Sequence, residues 1–125
     1  MKMTGGTHVF PLVYNGSTNY YPSGMAVGKD GKFYMGSGQS SGFIGIATTS
    51  GSFTTKPIPS GDYSYGGGVA LGSDGNIWFT ELQHIAKITN GGSVTEFSYP
   101  DGNTANYYGA VAAGPDGDVW VTEYN

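Results

Sequence analysis

The stretch Gly68-Val69-Ala70-Leu71-Gly72-Ser73-Asp74-Gly75-Asn76-Ile77-Trp78-Phe79-Thr80 decides the fold. Its first five residues are small and apolar, which suits a strand buried on both faces. Asp74-Gly75 then supplies a hairpin turn, whose positive φ angles match the strand twist. Ile77 to Thr80 returns as a strand rich in aromatic and β-branched residues. After the loop Glu81 to Gln83, His84 to Thr89 reads as a third strand, Asn90-Gly91-Gly92 as a second hairpin, and Ser93 to Phe97 as an alternating fourth strand. Four antiparallel strands in ~40 residues make one blade of a β-propeller.

The same unit recurs on either side. Asp30-Gly31 stands 44 residues before Asp74-Gly75, and Asp116-Gly117 stands 42 after it. Each aspartate is followed at four residues by Tyr34, Trp78 or Trp120, and preceded at nine by Tyr21, Tyr65 or Tyr107. A fixed period of this length marks a repeat architecture. Phe43 to Pro59 aligns without a gap on His84 to Pro100, with the extra residues of the earlier copy in the polar loop Gly36 to Gly42. The last copy is split. Ala110 to Gly114 and Asp118 to Thr122 give two inner strands, while Gly5-Gly6 and Thr7 to Leu12 open the chain with the end of a blade. The fold class is therefore all-β, a β-propeller segment of three blade-equivalents with four-stranded antiparallel blades. Blade 1 covers 22–59, blade 2 covers 66–100, and the split blade covers 109–125 plus 1–14. The third strand of the split blade falls on Met1 to Thr4 or is missing.

Composition narrows the function classes. The 125 residues make one domain, with 23 Gly, 10 Tyr and only 11% charged residues. A net charge of −4 with five Lys and Arg repels nucleic acid and anionic membrane surfaces, so neither is an expected partner. The lack of cysteine excludes disulfides and thiolate metal sites. With no apolar run for a signal or spanning segment, the chain as written reads as soluble and cytoplasmic.

Gly72 to Glu81 and Gly114 to Asn125 resemble blades of the virginiamycin B lyase (streptogramin lyase) family. The segment Ile85 to Phe97, with its Lys-Ile-Thr and Val-Thr-Glu-Phe runs, is similar to the outer strands of those blades. The resemblance implies a closed propeller of about seven blades in one chain. It also implies opening of a cyclic depsipeptide ester by elimination, with a histidine base and a divalent cation near acidic residues.

The loops between strands two and three, and those between blades, share one face. Under the lyase reading, Glu81 and Glu123 hold a magnesium ion and His84, three residues beyond Glu81, is the base. Under the simpler reading no cofactor is needed: Glu81 is a strand-end carboxylate bonded to nearby backbone N–H groups, and His84 opens a strand. The simpler reading is preferred, because only one histidine reaches that face. Tyr21, Tyr65 and Tyr107 are read as wedges between blades, and Tyr34, Trp78 and Trp120 as blade-packing residues. Tyr20, Tyr63, Tyr108, Tyr124 and Asn125 are the ligand-binding candidates, amphipathic groups suited to a sugar, a small molecule or a protein.

Three blades cannot close a ring, since propellers need at least about four. The expected partner is a second copy, giving a six-bladed homodimer with Val9, Phe10, Val119 and Val121 near the seam. The function read from the sequence is a self-assembling, non-catalytic module. Its alternatives are a lyase-like enzyme active only as the assembled ring, and a propeller fragment or engineered repeat without an evolved ligand.

Overall fold

A computed structural model describes residues 2–3, 7–8, 21–37, 42–62, 68–99, 102 and 107–124, with backbone alone at 2–3, 7–8, 107–108 and 124. Its elements are β1 (Lys2–Met3), β2 (Thr7–His8), β3 (Pro22–Val27), β4 (Phe33–Ser37), β5 (Phe43–Ala47) and β6 (Phe53–Pro57), then β7 (Val69–Leu71), β8 (Ile77–Thr80), β9 (His84–Ile88), β10 (Val94–Ser98), β11 (Tyr107–Ala113) and β12 (Val119–Tyr124). Strands β3 to β6 and β7 to β10 form two four-stranded antiparallel meanders, while β11–β12 and β1–β2 are two-stranded. The first strands β3, β7 and β11 lie side by side. The sheets are therefore neighbours through their inner strands, an all-β, propeller-like arrangement. Lys2 pairs with His8 and Met3 with Thr7, so the N-terminal half-blade has two strands of its own. No helix among the described residues is long and apolar enough to cross a membrane.

The inner hairpins explain why the Asp-Gly pair and its aromatic are spaced as they are. In blade 2 the Gly72 N–H donates to Asn76 O at 2.9 Å and the Gly75 N–H to Gly72 O at 3.0 Å. The loop is thus three residues long with glycine at positive φ, rather than a two-residue turn. Asp30-Gly31 and Asp116-Gly117 close the same way. The aspartate side chain then accepts from the backbone two residues on and from the aromatic four residues on. Trp78 Nε1 donates to Asp74 at 3.1 Å, Trp120 Nε1 to Asp116 at 3.2 Å, and Tyr34 Oη to Asp30 at 3.0 Å. The ring lies so close over the glycine that starts the loop that a Cβ on Gly72 would sit 2.6 Å from Trp78 Cδ1. Gly28 and Gly114 are crowded likewise by Tyr34 and Trp120. The Gly-x-Asp-Gly-x-x-aromatic pattern is one hydrogen-bonded object.

Those bonds also set acidities. The Trp120 indole N–H, with the Asp118 N–H, holds the Asp116 carboxyl below its ordinary range. At Asp74 burial pulls upward, but the bonds from Asn76 and Trp78 together outweigh it. Burial, reinforced by the bond to Asp30, pushes the Tyr34 phenol up to about 12.

The core fills the seam between the two complete blades. Tyr34, Ile44, Ile46 and Ile58 from blade 1 meet Ile77, Phe79, Ala86 and Ile88 from blade 2. Phe79 pairs with Ala86 and Ile77 with Ile88, so alternation turns these four toward blade 1. Full burial of side chains such as Ile44, Ile77 and Phe79 is worth ~1.5–3 kcal/mol each. The other side of blade 2 carries Trp78 stacked on Phe97, centroids 5.5 Å apart, with Lys87 Nζ 5.3 Å from the Trp78 ring. On that side Thr80 Oγ1 donates to Gly109 O at 2.9 Å and Ser73 Oγ to Gly117 O at 2.6 Å, which ties β11–β12 to blade 2.

Two sequence expectations change here. Tyr34 packs between blades as expected, but Trp120 is 61% exposed and Tyr21 54%. Met25 and Val27 are also bare, at 59% and 50%. The reason is register. Ala112 pairs with Trp120 as Ala26 pairs with Tyr34, so Trp120 points away from blade 2 just as Tyr34 points away from a blade preceding its own. Met25 and Val27 occupy the places of Val69 and Leu71, which in blade 2 pack against blade 1. By the same register Val119 and Val121 stand in the places of Ile77 and Phe79, on the side of β12 toward blade 2.

Candidate functional site

The connector that leaves β6 crosses onto blade 2 and is held there. Ile58 is buried, and its N–H donates to Gly42 O at 2.7 Å. The chain turns at Gly61, φ 76°, whose N–H donates to Ile58 O. Glu96 of β10 accepts the Ser60 N–H at 3.0 and 3.2 Å, and the Asp62 N–H donates to Ser60 Oγ at 3.0 Å. These bonds fix Asp62 beside the turn between β8 and β9.

That turn is built as firmly. The Glu81 N–H donates to His84 O at 2.8 Å. Tyr99, 5% exposed, donates its hydroxyl to His84 O at 2.6 Å and lies 3.2 Å from Glu81 O. Glu81 and His84 therefore project from one braced loop toward Asp62. His84 Nδ1 is 3.0 Å from Asp62 Oδ2 and 4.0 Å from Glu81 Oε2. His84 and Asp62 are each about a quarter exposed at the side chain, whereas Glu81 is completely buried.

Glu81 is the anomaly. Neither of its carboxyl oxygens has a hydrogen-bond donor at bonding geometry, contrary to the expectation that nearby backbone N–H groups satisfy it. Burial pushes its pKa up to about 9, and the Glu96 charge, the hydrogen bond its own protonated carboxyl gives Glu96, and the Asp62 charge add to the shift. It is neutral at pH 7. At Glu96 burial also pulls upward, but the hydrogen bonds from Ser60 outweigh it and keep that carboxylate in its charged form. The site is a neutral buried acid, an ionised carboxylate beside it, and an imidazole anchored through Nδ1 to Asp62.

Glu81 and His84 are thus brought together. Glu123, on β12 opposite Tyr108, is exposed and stands outside the Asp62–Glu81–His84 group. Tyr20, Tyr63 and Asn125, like Val9, Phe10 and Tyr65, lie outside the described residues, and the side chains of Tyr107, Tyr108 and Tyr124 are not described. Asp62, Glu96 and Tyr99 were not among the sequence candidates. A signal for Glu96 existed: Val94 and Glu96 share one side of β10 and Phe97 takes the other, so the carboxylate holds the phase of an inward residue.

The sequence matches the Virginiamycin B lyase family over residues 1–125. The fold is similar to the virginiamycin B lyase of Staphylococcus aureus, with TM-score 0.77 and 31% identity over 90% of this chain and 37% of that one. It is also similar to a catalytically inactive histidine-to-alanine variant of that enzyme with quinupristin, at TM-score 0.74 and 33% identity over the same shares, 90% and 37%. A streptogramin B lyase structure matches at TM-score 0.73 and 27% identity, over 93% of this chain and 43% of that one. This chain thus spans well under half the length of these relatives. No curated protein sequence matches.

Proposed function

Because the chain belongs to the virginiamycin B lyase family, we propose that it is a ring-forming propeller module of that family, completed by a second copy and not catalytic by itself. The observation that carries this reading is the match between its two bare faces. At the internal seam, the Ala26–Tyr34 side of blade 1 receives Val69 and Leu71 of blade 2. Ala112–Trp120 at one end and Met25 with Val27 at the other repeat that pairing in register. Trp120 of one copy would cover Met25 and Val27 of the next. Covering such apolar surface is the usual fate of large exposed patches. The half-blades agree with this: β11–β12 has two strands and β1–β2 has two, and joined across copies they make the four of a blade. Two three-blade copies give six blades and a closed two-fold ring. Its proposed binding residues for a sugar, another small molecule or a protein are Tyr20, Tyr63, Tyr108, Tyr124 and Asn125.

The test is the solution mass. Light scattering at micromolar concentration should give twice the chain mass of 13.0 kDa, and Trp120→Ser should return it to a monomer. A folded, monodisperse monomer of the unaltered chain refutes the reading. The contact of His84 with Asp62 favours a second reading, in which the assembled ring acts as a lyase on a cyclic depsipeptide. Consumption of quinupristin by the assembled species with magnesium, abolished by His84→Gln, would establish that reading in place of the non-catalytic one.

A further inference from the structure

The buried carboxyl of Glu81 has no donor, yet it points into a cluster whose other members are well placed. One oxygen each from Asp62 and Glu81 and one nitrogen from His84 lie within 4.8 Å of one another. Donors bound to one tetrahedral zinc at ~2.0–2.1 Å are ~3.3 Å apart. The His84–Asp62 and His84–Glu81 separations of 3.0 and 4.0 Å bracket that value, so small side-chain rotations bring all three onto one ion. We propose that Asp62, Glu81 and His84 form a divalent metal site that staples blade 1 to blade 2.

The chemistry of the donors selects the ion. One imidazole nitrogen with two carboxylate oxygens suits a borderline cation such as zinc or cobalt(II), whereas magnesium favours oxygen and retained water. An ion here binds one oxygen of Glu81, displacing its proton to solvent, and takes the place of the direct His84–Asp62 contact. Asp62 comes from the connector that leaves blade 1 after β6, Glu81 from the turn after β8 and His84 from the first position of β9. The turn is braced by Tyr99 and the connector by Glu96, so outer groups hold the first ligands in place. Partial exposure of His84 and Asp62 gives the ion a way in and leaves the fourth position to water. The site lies within one copy, so it stands or falls independently of ring closure.

The experiment uses the full chain stripped with chelator and then titrated with zinc. Calorimetry should show one ion per chain, and the melting temperature should rise by several degrees when free zinc exceeds Kd by ~100-fold. Cobalt(II) should give the intense visible absorption of a tetrahedral site, displaced by zinc. Asp62→Asn and His84→Gln should each weaken zinc binding at least ~10-fold. His8→Gln, which alters the other histidine, should leave it unchanged. If Asp62→Asn destabilises the apo protein, the cobalt spectrum of His84→Gln still decides. No zinc-dependent heat or melting shift up to millimolar metal overturns the proposal. Equal zinc binding by the site variants and the unaltered chain overturns it too.

Discussion

Removing the Trp78–Asp74 tether tests whether the repeat spacing encodes a hydrogen bond or merely a packed ring. Trp78→Phe deletes one donor, the indole N–H at 3.1 Å, and keeps an aromatic ring against Phe97. Asp74→Ala deletes that bond and those from Asn76 N at 3.0 Å and Asn76 Nδ2 at 2.8 Å. A hydrogen bond to a charged group is worth ~1.5–3 kcal/mol when sheltered. The Asp74 side chain is 38% exposed, so solvent screening brings the indole bond down to about 1 kcal/mol. Asp74→Ala should cost about 2 kcal/mol, since three bonds are lost but water replaces part of each. Asp74→Asn keeps the acceptor oxygen and should cost less than half of that. The decisive number is the coupling between Asp74→Ala and Trp78→Phe from a double-mutant cycle by urea unfolding. It should be about 1 kcal/mol, with unchanged m-values. A coupling within ~0.3 kcal/mol of zero would mean the two side chains act independently. The four-residue spacing would then reflect only the ring lying over Gly72.

Phe79→Ala, at a fully buried position of the inter-blade core, should destabilise by ~3–5 kcal/mol in chemical denaturation. Tyr34 makes alkaline stability sensitive to one phenol. Its folded pKa is raised from 10.0 to about 12, so its contribution is whole below pH 10 and is lost as pH rises toward 12. Tyr34→Phe should flatten that part of the stability–pH curve, and an unchanged slope would count against the burial described here. Tyr99→Phe removes the donor that braces the β8–β9 turn and should cost about 1–2 kcal/mol. It should also speed amide exchange at Glu81, and a variant with unaltered exchange would show that the brace is dispensable.

The blade was legible because its information is local. Asp74, Gly75 and Trp78 fall within five residues, and the contacts that fix the hairpin join those same residues. Strand ends followed from polarity alternation and glycine, and the resemblance to the lyase family rested on the same short runs. The site was only half legible. Glu81 and His84 stand three apart, so their meeting could be read from the loop. Asp62 reaches His84 from 22 residues away, and Glu96 reaches Ser60 from 36 away. Those encounters depend on how the sheets stack, which no local pattern states. Trp120 shows the reverse case: its motif is the same as that of Trp78, but its surroundings depend on what lies beside the last sheet.

The tethered hairpin has a consequence for how such a chain can arise and fold. Each one is closed by bonds that span at most four residues, and so it asks nothing of the rest of the molecule. A gene segment that encodes one can be duplicated in tandem without any new partner having to be invented for it. Only the side chains at the seams must then differ, as Ile46 and Lys87 do at equivalent places in successive copies. In the unfolded chain the same independence lets every hairpin form early, at the low entropic cost of a short loop. Assembly then becomes the sorting of ready-made pieces, with the seam contacts as the step that decides their order.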